Sequence, residues 1–132
     1  MAAPATRATS RWATLFSAFE FNTGDGPFAN DENLLQYKGL ARFGAELGEK
    51  TRLSGWVAAY DGRWNASGQI PQRWVGRNGV NRWDSVDPTE GGDSARQIGQ
   101  ARLVHDFTPS QHLEVTAWAS HYTLDLNSNF TL

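Results

Sequence analysis

Tryptophan and arginine side chains are concentrated between residues 61 and 94, a segment with no clear hydrophobic period. Indole rings stack on ligand rings, and guanidinium groups attract anions, so the segment is a candidate surface for an organic or anionic ligand. The alternative is self-packing, because a long loop must bury apolar surface to be ordered. The candidate ligand-binding residues are Arg63, Trp64, Gln69, Arg73, Trp74, Arg82 and Trp83.

Four acidic residues follow one another at steps of three in the second half of this segment: Asp84, Asp87, Glu90 and Asp93. Clustered carboxylates are what calcium requires, but this step fits no EF-hand loop. The two glycines at positions 91 and 92 indicate a turn instead. We therefore interpret the four as solvated turn residues, and we predict neither a bound metal nor a cofactor.

Catalytic chemistry finds little support in the sequence. Ser94 lies in a Gly-Gly-Asp-Ser-Ala stretch that lacks the glycine spacing of a nucleophile elbow. The histidines at positions 105, 112 and 121 have no metal-ligand spacing. There is no cysteine, which excludes disulfide scaffolds, cysteine-ligated zinc and thiolate nucleophiles. We predict that the protein is not an enzyme.

Length and charge exclude further classes. The chain has 132 residues, which is one ordinary domain, and its net charge is −2 from 12 basic and 14 acidic residues. With no basic tract, it does not look like a protein that binds nucleic acid by neutralising phosphates. It contains no run of 18 apolar residues and therefore no predicted transmembrane helix.

The elements that would position the loop residues are strands. Along residues 35–47, odd positions are apolar apart from one tyrosine hydroxyl, and most even positions are polar. This period of two predicts a strand with one dry and one wet face. Residues 12–21, 95–107 and 113–123 alternate in the same way, whereas residues 53–60 are apolar on both faces and cannot be oriented. The sequence predicts an all-β, antiparallel, up-and-down meander of about five strands.

The predicted connections alternate in length. Residues 48–51 and 108–111 form short turns, whereas residues 22–33 and 61–94 form long loops, so turns and loops lie at opposite ends of the sheet. The four strands that alternate have 10 to 13 residues, about the length that crosses a bilayer, whereas globular strands average roughly 5–6. This pattern is typical of a transmembrane β-barrel, although a soluble sandwich or a lipocalin-like barrel shows the same alternation.

Five strands are too few to close a membrane barrel, which needs about eight. An open edge in lipid would leave backbone groups unpaired. The first residues also lack the apolar core of a secretory signal. If the membrane interpretation holds, we expect residues 1–132 to be part of a larger barrel.

Several stretches, taken in order, resemble one bacterial family. They are Trp-Asn-Ala-Ser-Gly-Gln-Ile-Pro-Gln-Arg at residues 64–73, Asp-Pro-Thr-Glu-Gly-Gly at residues 87–92, Arg96, the segment 26–44, and Ser-Asn-Phe-Thr at residues 128–131. They are similar to the barrel of TonB-dependent outer-membrane receptors. Trp74 departs from the family pattern, which commonly has a small residue there, and the chain shows no plug domain and no energy-coupling box.

The resemblance implies a segment of a twenty-two-stranded transport barrel in the bacterial outer membrane. Its ligand would be a scarce solute such as a metal chelate, a corrinoid or a saccharide. The implied partners are outer-membrane lipid, the plug domain, the remaining barrel strands, and TonB-type energy coupling through the plug. The competing hypothesis is a soluble all-β binding module that uses loop tryptophan and arginine residues for ligand stacking.

The wet faces of two predicted strands supply a second set of candidates: Gln36, Lys38, Arg42, Arg96, Gln100 and Arg102. In a receptor barrel this face lines the lumen and meets the plug or the passing solute. In a soluble protein it is a solvated face. The sequence leaves both interpretations open.

Overall fold

The computed structural model describes residues 6–9, 12–77 and 79–129. They form a single antiparallel sheet in which the strands follow one another in chain order. The strands are β1 (Thr6–Thr9), β2 (Ala13–Gly24), β3 (Leu34–Glu46), β4 (Thr51–Asn65), β5 (Gly91–Thr108) and β6 (Gln111–Asn127).

The predicted all-β, up-and-down meander is confirmed, and its five long strands are β2 to β6. The short strand β1 was not predicted, because four residues are too few to show a period. The described residues contain no α-helix and one 3₁₀ turn, Gln72–Trp74. No helix among them is long and apolar enough to cross a membrane.

Strand register sorts the side chains of β2 to β6 onto two faces. Apart from a register shift between Asp106 and Thr108 at the end of β5, odd-numbered residues pair with odd-numbered residues through all five strands. One such row joins Ser17, Ala41, Val57, Gly99 and Ala119. Because successive side chains point to opposite faces, all odd positions share one side of the sheet. We call this side the apolar face and the side of the even positions the polar face. Strand β4, which the sequence could not orient, follows the same rule.

The ends of the sheet differ as predicted, with corrected boundaries. Residues 47–50 and 109–110 are the short turns, the first closed by a 2.9 Å hydrogen bond from Leu47 N to Thr51 O. The long connections are loop A, residues 25–33, and loop B, residues 66–90. The predicted bounds 22–33 and 61–94 were therefore too wide, because cross-strand pairing extends β2 to Gly24, β4 to Asn65 and the start of β5 to Gly91, whereas the end of loop A at residue 33 is as predicted.

No apolar side chain in the described part of the chain is buried. The apolar face is open, and Val57 at its centre is 58% exposed. Strand β6 pairs only with β5, and β1 only with β2, so the sheet is not closed into a barrel by the described residues. The fold is one layer with two open edges and an uncovered apolar side.

Aromatic rings cover glycines within this single layer. A methyl group at Gly55 would meet the Phe43 ring at 2.8 Å, and one at Gly62 would meet the Tyr60 ring. Phe21 and Tyr37 also pack across the β2–β3 pair, with ring centroids 5.2 Å apart. These local contacts, rather than a core, fix the side chains of the sheet.

Candidate functional site

Loops A and B lie at the same end of the sheet and contact each other. Ala29 N donates to Trp83 O at 2.9 Å, and the rings of Phe28 and Trp83 are 5.8 Å apart. At the base, Asn65 N donates to Glu32 O at 2.7 Å. The two loops therefore present one joined surface, although they are far apart in the sequence.

The base of loop B is closed around a buried carboxylate. Glu90 is only 6% exposed, and its Oε1 accepts a 2.9 Å hydrogen bond from Asn129 N, beyond the end of β6. Its carboxylate also lies against Gly68, whose φ of +64° favours glycine and where a side chain would clash. Ala66 N donates to Glu90 O at 2.8 Å and completes the closure.

The turn that precedes Glu90 is also tied to the sheet. Asp87 Oδ1 accepts hydrogen bonds from the Thr89 hydroxyl at 2.6 Å and from Thr89 N at 3.0 Å. These bonds, the hydroxyl bond foremost, lower the pKa of the Asp87 carboxyl below its ordinary value. Asn127 Nδ2 donates to Thr89 O at 2.8 Å, so the turn rests on the end of β6.

The four acidic residues at steps of three do not converge. Asp84 accepts from Asn81, Asp87 from Thr89, and Glu90 from Asn129, whereas Asp93 lies on the apolar face of β5. No group of three or more metal-ligating side chains occurs among the residues that the structure describes.

The seven predicted ligand residues fall in different places. Arg63 and Trp64 belong to β4 and not to the loop, which corrects their predicted placement. Arg63 lies in register with Asp93 and lines a concavity of about 660 Å³ at the loop end of the apolar face. Gln69 is exposed near the base of loop B. The other four lie in two hollows farther out.

The first hollow is built around the 3₁₀ turn. It has a volume of about 460 Å³ and is lined by Arg73, Trp74, Arg77 and Val80. The Arg73 guanidinium carbon is 5.8 Å from the centroid of the Trp74 ring, within the range of a cation–π contact. Arg77 was not among the predicted ligand-binding residues.

The second hollow lies where the loops meet and has a volume of about 590 Å³. Its walls include Arg82 and Trp83, as well as Phe28 from loop A and Val80. Phe28 was not among the predicted ligand-binding residues, although an aromatic residue alone in a loop of small and polar residues is a signal of packing or binding.

A local hydrogen-bond network holds the turn that carries Trp83. Asp84 Oδ2 accepts from Asn81 N at 2.7 Å, and Asp84 Oδ1 accepts from Asn81 Nδ2 at 2.8 Å. Asn81 Oδ1 in turn accepts from Trp83 N at 2.7 Å. The Trp83 ring is thereby presented to the second hollow by a short, locally fixed turn.

The second candidate set lies together on the polar face: Gln36, Lys38, Arg42, Arg96, Gln100 and Arg102. Lys38 pairs with Glu20 at 2.8 Å, and Arg102 with Glu114 at 2.6 Å. No ion pair within the described residues involves Arg42 or Arg96. This face also carries Trp118 and Tyr122 of β6, which are 73% and 57% exposed and were not among the predicted residues.

Comparison of the chain with protein-family models, curated proteins and solved structures returned no match. Functional interpretation therefore depends on the geometry and on the sequence motifs described above. That geometry consists of a sheet with one apolar and one polar face, and of two joined loops whose hollows combine aromatic rings with guanidinium groups.

Proposed function

We propose that this sheet is a section of the wall of a TonB-dependent receptor in the bacterial outer membrane. The observation that carries the proposal is the uncovered apolar face of β2 to β6, combined with the absence of any buried apolar side chain in the described residues. Burial of apolar surface is the main force that favours folding, so a sheet of this kind needs an apolar environment outside itself. A lipid bilayer supplies one.

The dimensions of the apolar face support this proposal. On strand β4, the polar residues Thr51 and Asp61 bracket apolar positions from Leu53 to Ala59. The ten-residue step from Thr51 to Asp61 spans about 33 Å of strand, so these two polar borders lie about 25 Å apart along the membrane normal at a tilt of about 40°. A band of about 25 Å is what transmembrane barrels present to lipid.

The competing soluble module lacks what it would need. A soluble sandwich or small barrel buries one face of each sheet against a second layer. The described residues form one layer, and none of their apolar side chains is buried. The described residues thus contain no apolar interior of the kind that a soluble module requires, which favours the membrane proposal.

The proposal divides the work between the strands and the loops. Strands β2 to β6 form part of the barrel wall. Their polar face, with its arginine, lysine and glutamine side chains, lines the lumen and meets the plug domain or the moving solute. Loops A and B capture a scarce solute of the metal-chelate, corrinoid or saccharide class. Further strands pair with the open edges, and a TonB-type motor acts through the plug.

The absence of cysteine permits a direct test, since any introduced thiol is unique. Val57 on the apolar face and its neighbour Ala58 on the polar face are each replaced by cysteine, as V57C and A58C, and labelled with an environment-sensitive fluorophore. The full chain is then reconstituted in phosphatidylcholine vesicles. We expect the label at position 57 to emit at shorter wavelength and to be quenched by brominated lipid, and the label at position 58 to be quenched by aqueous iodide.

Two outcomes would overturn the proposal. In the first, the two labels respond alike to both quenchers. In the second, the chain stays in solution without lipid while the label at position 57 is shielded from iodide, as a soluble module with its own interior requires.

A further inference from the structure

Positive charge is segregated into the outer part of loop B. Between residues 62 and 83 the sequence carries four arginines and no acidic residue, whereas residues 84–93 carry four acidic residues. The segment 72–83, here the loop tip, contains Arg73, Arg77 and Arg82. This local excess of three positive charges stands in a chain whose net charge is −2.

The charges of the loop tip are not neutralised within the described residues. The three ion pairs found there join Lys38 with Glu20, Arg52 with Asp106, and Arg102 with Glu114. None involves the loop tip. Asp84, the nearest acidic residue in the sequence, has its two carboxylate oxygens engaged by Asn81.

Both hollows of the loops open on this tip and share Val80 as a wall. Arg73 and Arg77 line one hollow together with the Trp74 ring, and Arg82 lines the other with the rings of Phe28 and Trp83. No carboxylate lines either hollow among the described residues. Each hollow therefore combines guanidinium donors with an aromatic wall and an aliphatic side chain.

The combination of guanidinium groups with aromatic and aliphatic side chains favours one chemical class of ligand. Guanidinium groups bind carboxylate, sulfonate or phosphate oxygens through paired hydrogen bonds. Indole and phenyl rings pack against flat, apolar ring systems. An inorganic anion would use only the first feature, and a neutral apolar molecule only the second.

We propose that the loop tip binds an aromatic ligand that carries two or more anionic groups. The ring system packs against the contacting rings of Phe28 and Trp83 and against Val80, and the anionic groups reach Arg82 and the guanidinium pair of the neighbouring hollow. This inference rests on the proposed function in one respect: it names the class of solute that the receptor captures. Binding itself depends on the loops and not on the lipid.

The test measures binding of pyrene tetrasulfonate to the full chain in zwitterionic detergent micelles by fluorescence anisotropy. Three single variants remove loop groups: R77Q, R82Q and W83L. The matched control is K50Q, which removes an exposed cation in the turn at the opposite end of the sheet and outside both candidate sets. We expect R77Q and R82Q each to weaken binding by about tenfold or more, W83L by several-fold, and K50Q to leave it unchanged.

Competitors separate the sources of the anion. We expect naphthalene disulfonate to displace the probe at a concentration about tenfold lower than butane disulfonate, inorganic phosphate or glycerol phosphate, which represents a lipid headgroup. Displacement by all four at the same concentration would overturn the proposal, because the aromatic wall would then contribute nothing. An equal loss of affinity in K50Q would also overturn it, since attraction by general charge would then explain binding.

Separate controls distinguish a loss of folding from a loss of ligand binding. Far-UV circular dichroism monitors the sheet in each variant, and W83F retains a ring at the site and should restore most of the affinity lost in W83L. Should the label at position 57 face water in vesicles while loop binding persists, the membrane proposal fails and the loop-tip proposal stands. The reverse result removes the loop-tip proposal alone.

Discussion

Two adjacent glycines determine how loop B returns to the sheet. Gly91 has a φ of +150°, and a side chain there would clash with the carbonyl of Trp64 and lie 2.9 Å from Asn65 Cα on the neighbouring strand. At Gly92 a side chain would meet the carbonyl oxygen of Asp125 on β6. Only glycine allows the backbones of β4, β5 and β6 to approach this closely at the base of the loop.

We expect G91A to lower the free energy of unfolding by about 1–3 kcal/mol, because it forces both an unfavourable φ and a backbone clash. The matched control is G24A at the end of β2, where a methyl group meets nothing within 4 Å and φ is ordinary. Urea titration of the micelle-bound chain, followed by tryptophan fluorescence, measures both. Equal stability of the two variants would show that the close approach at Gly91 costs nothing.

The residue types in the sequence were enough to select candidate residues of the loop tip, but not to predict which residues of the other loop contact them. Arg82 and Trp83 stand out by composition, because few loops concentrate indole and guanidinium groups in this way. Their partner Phe28 lies in another loop, and only the Ala29–Trp83 hydrogen bond reveals that the two loops touch. The contact is nonlocal, so no pattern within either loop could have predicted it.

At the scale of the strands, the faces were predictable because alternation is a local property. The apolar residues at the odd positions of β3 predict the apolar face directly, and the observed strand register places them together on one side of the sheet. Strand β4 could not be oriented, since Trp56 and Val57 are both apolar and only pairing with β3 and β5 decides between them. The same pairing carries β4 through Arg63 and Trp64, which the sequence analysis placed in a loop because the segment shows no alternation.

A matched pair of alanines tests the asymmetry of the faces. Ala41 lies on the apolar face of β3, and Ala58 lies on the polar face of β4, one residue away in register. If the apolar face meets lipid, A41K should lower stability in vesicles by about 2–4 kcal/mol, because a lysine near the middle of the bilayer loses its hydration.

In A58K the new ammonium group shares a face with charged side chains, so we expect a change of at most about 0.5 kcal/mol. Urea-driven unfolding from phosphatidylcholine vesicles measures both variants. A larger loss in A58K than in A41K would contradict the assignment of the faces.

For the whole molecule, the open edges matter more than any single contact. An edge strand carries a row of unpaired backbone donors and acceptors, which is costly in lipid and promotes pairing with another chain. The edge strand β6 is 17 residues long, whereas β1 at the other edge has only four.

The sequence could predict that a meander of five long strands remains open, because this follows from the number of strands alone. Which edge offers more hydrogen bonds could not be predicted, since β1 has no sequence signal.

In vesicles that contain this chain alone, we expect β6 to pair with β6 of a second copy, because this arrangement satisfies far more backbone groups than pairing with β1. A two-fold antiparallel pairing of identical strands brings the middle of each strand opposite itself. The middle residue of Gln111–Asn127 is Ala119. The Cα atoms of the two copies of A119C should therefore lie within about 4.5–5.5 Å of each other, close enough for a disulfide bond.

The matched control A41C lies on the same face, in a strand that is paired on both sides. Mild oxidation should yield a linked dimer for A119C and little for A41C on non-reducing gels. Equal yields would mean that chance collisions, and not the open edge of β6, bring the copies together.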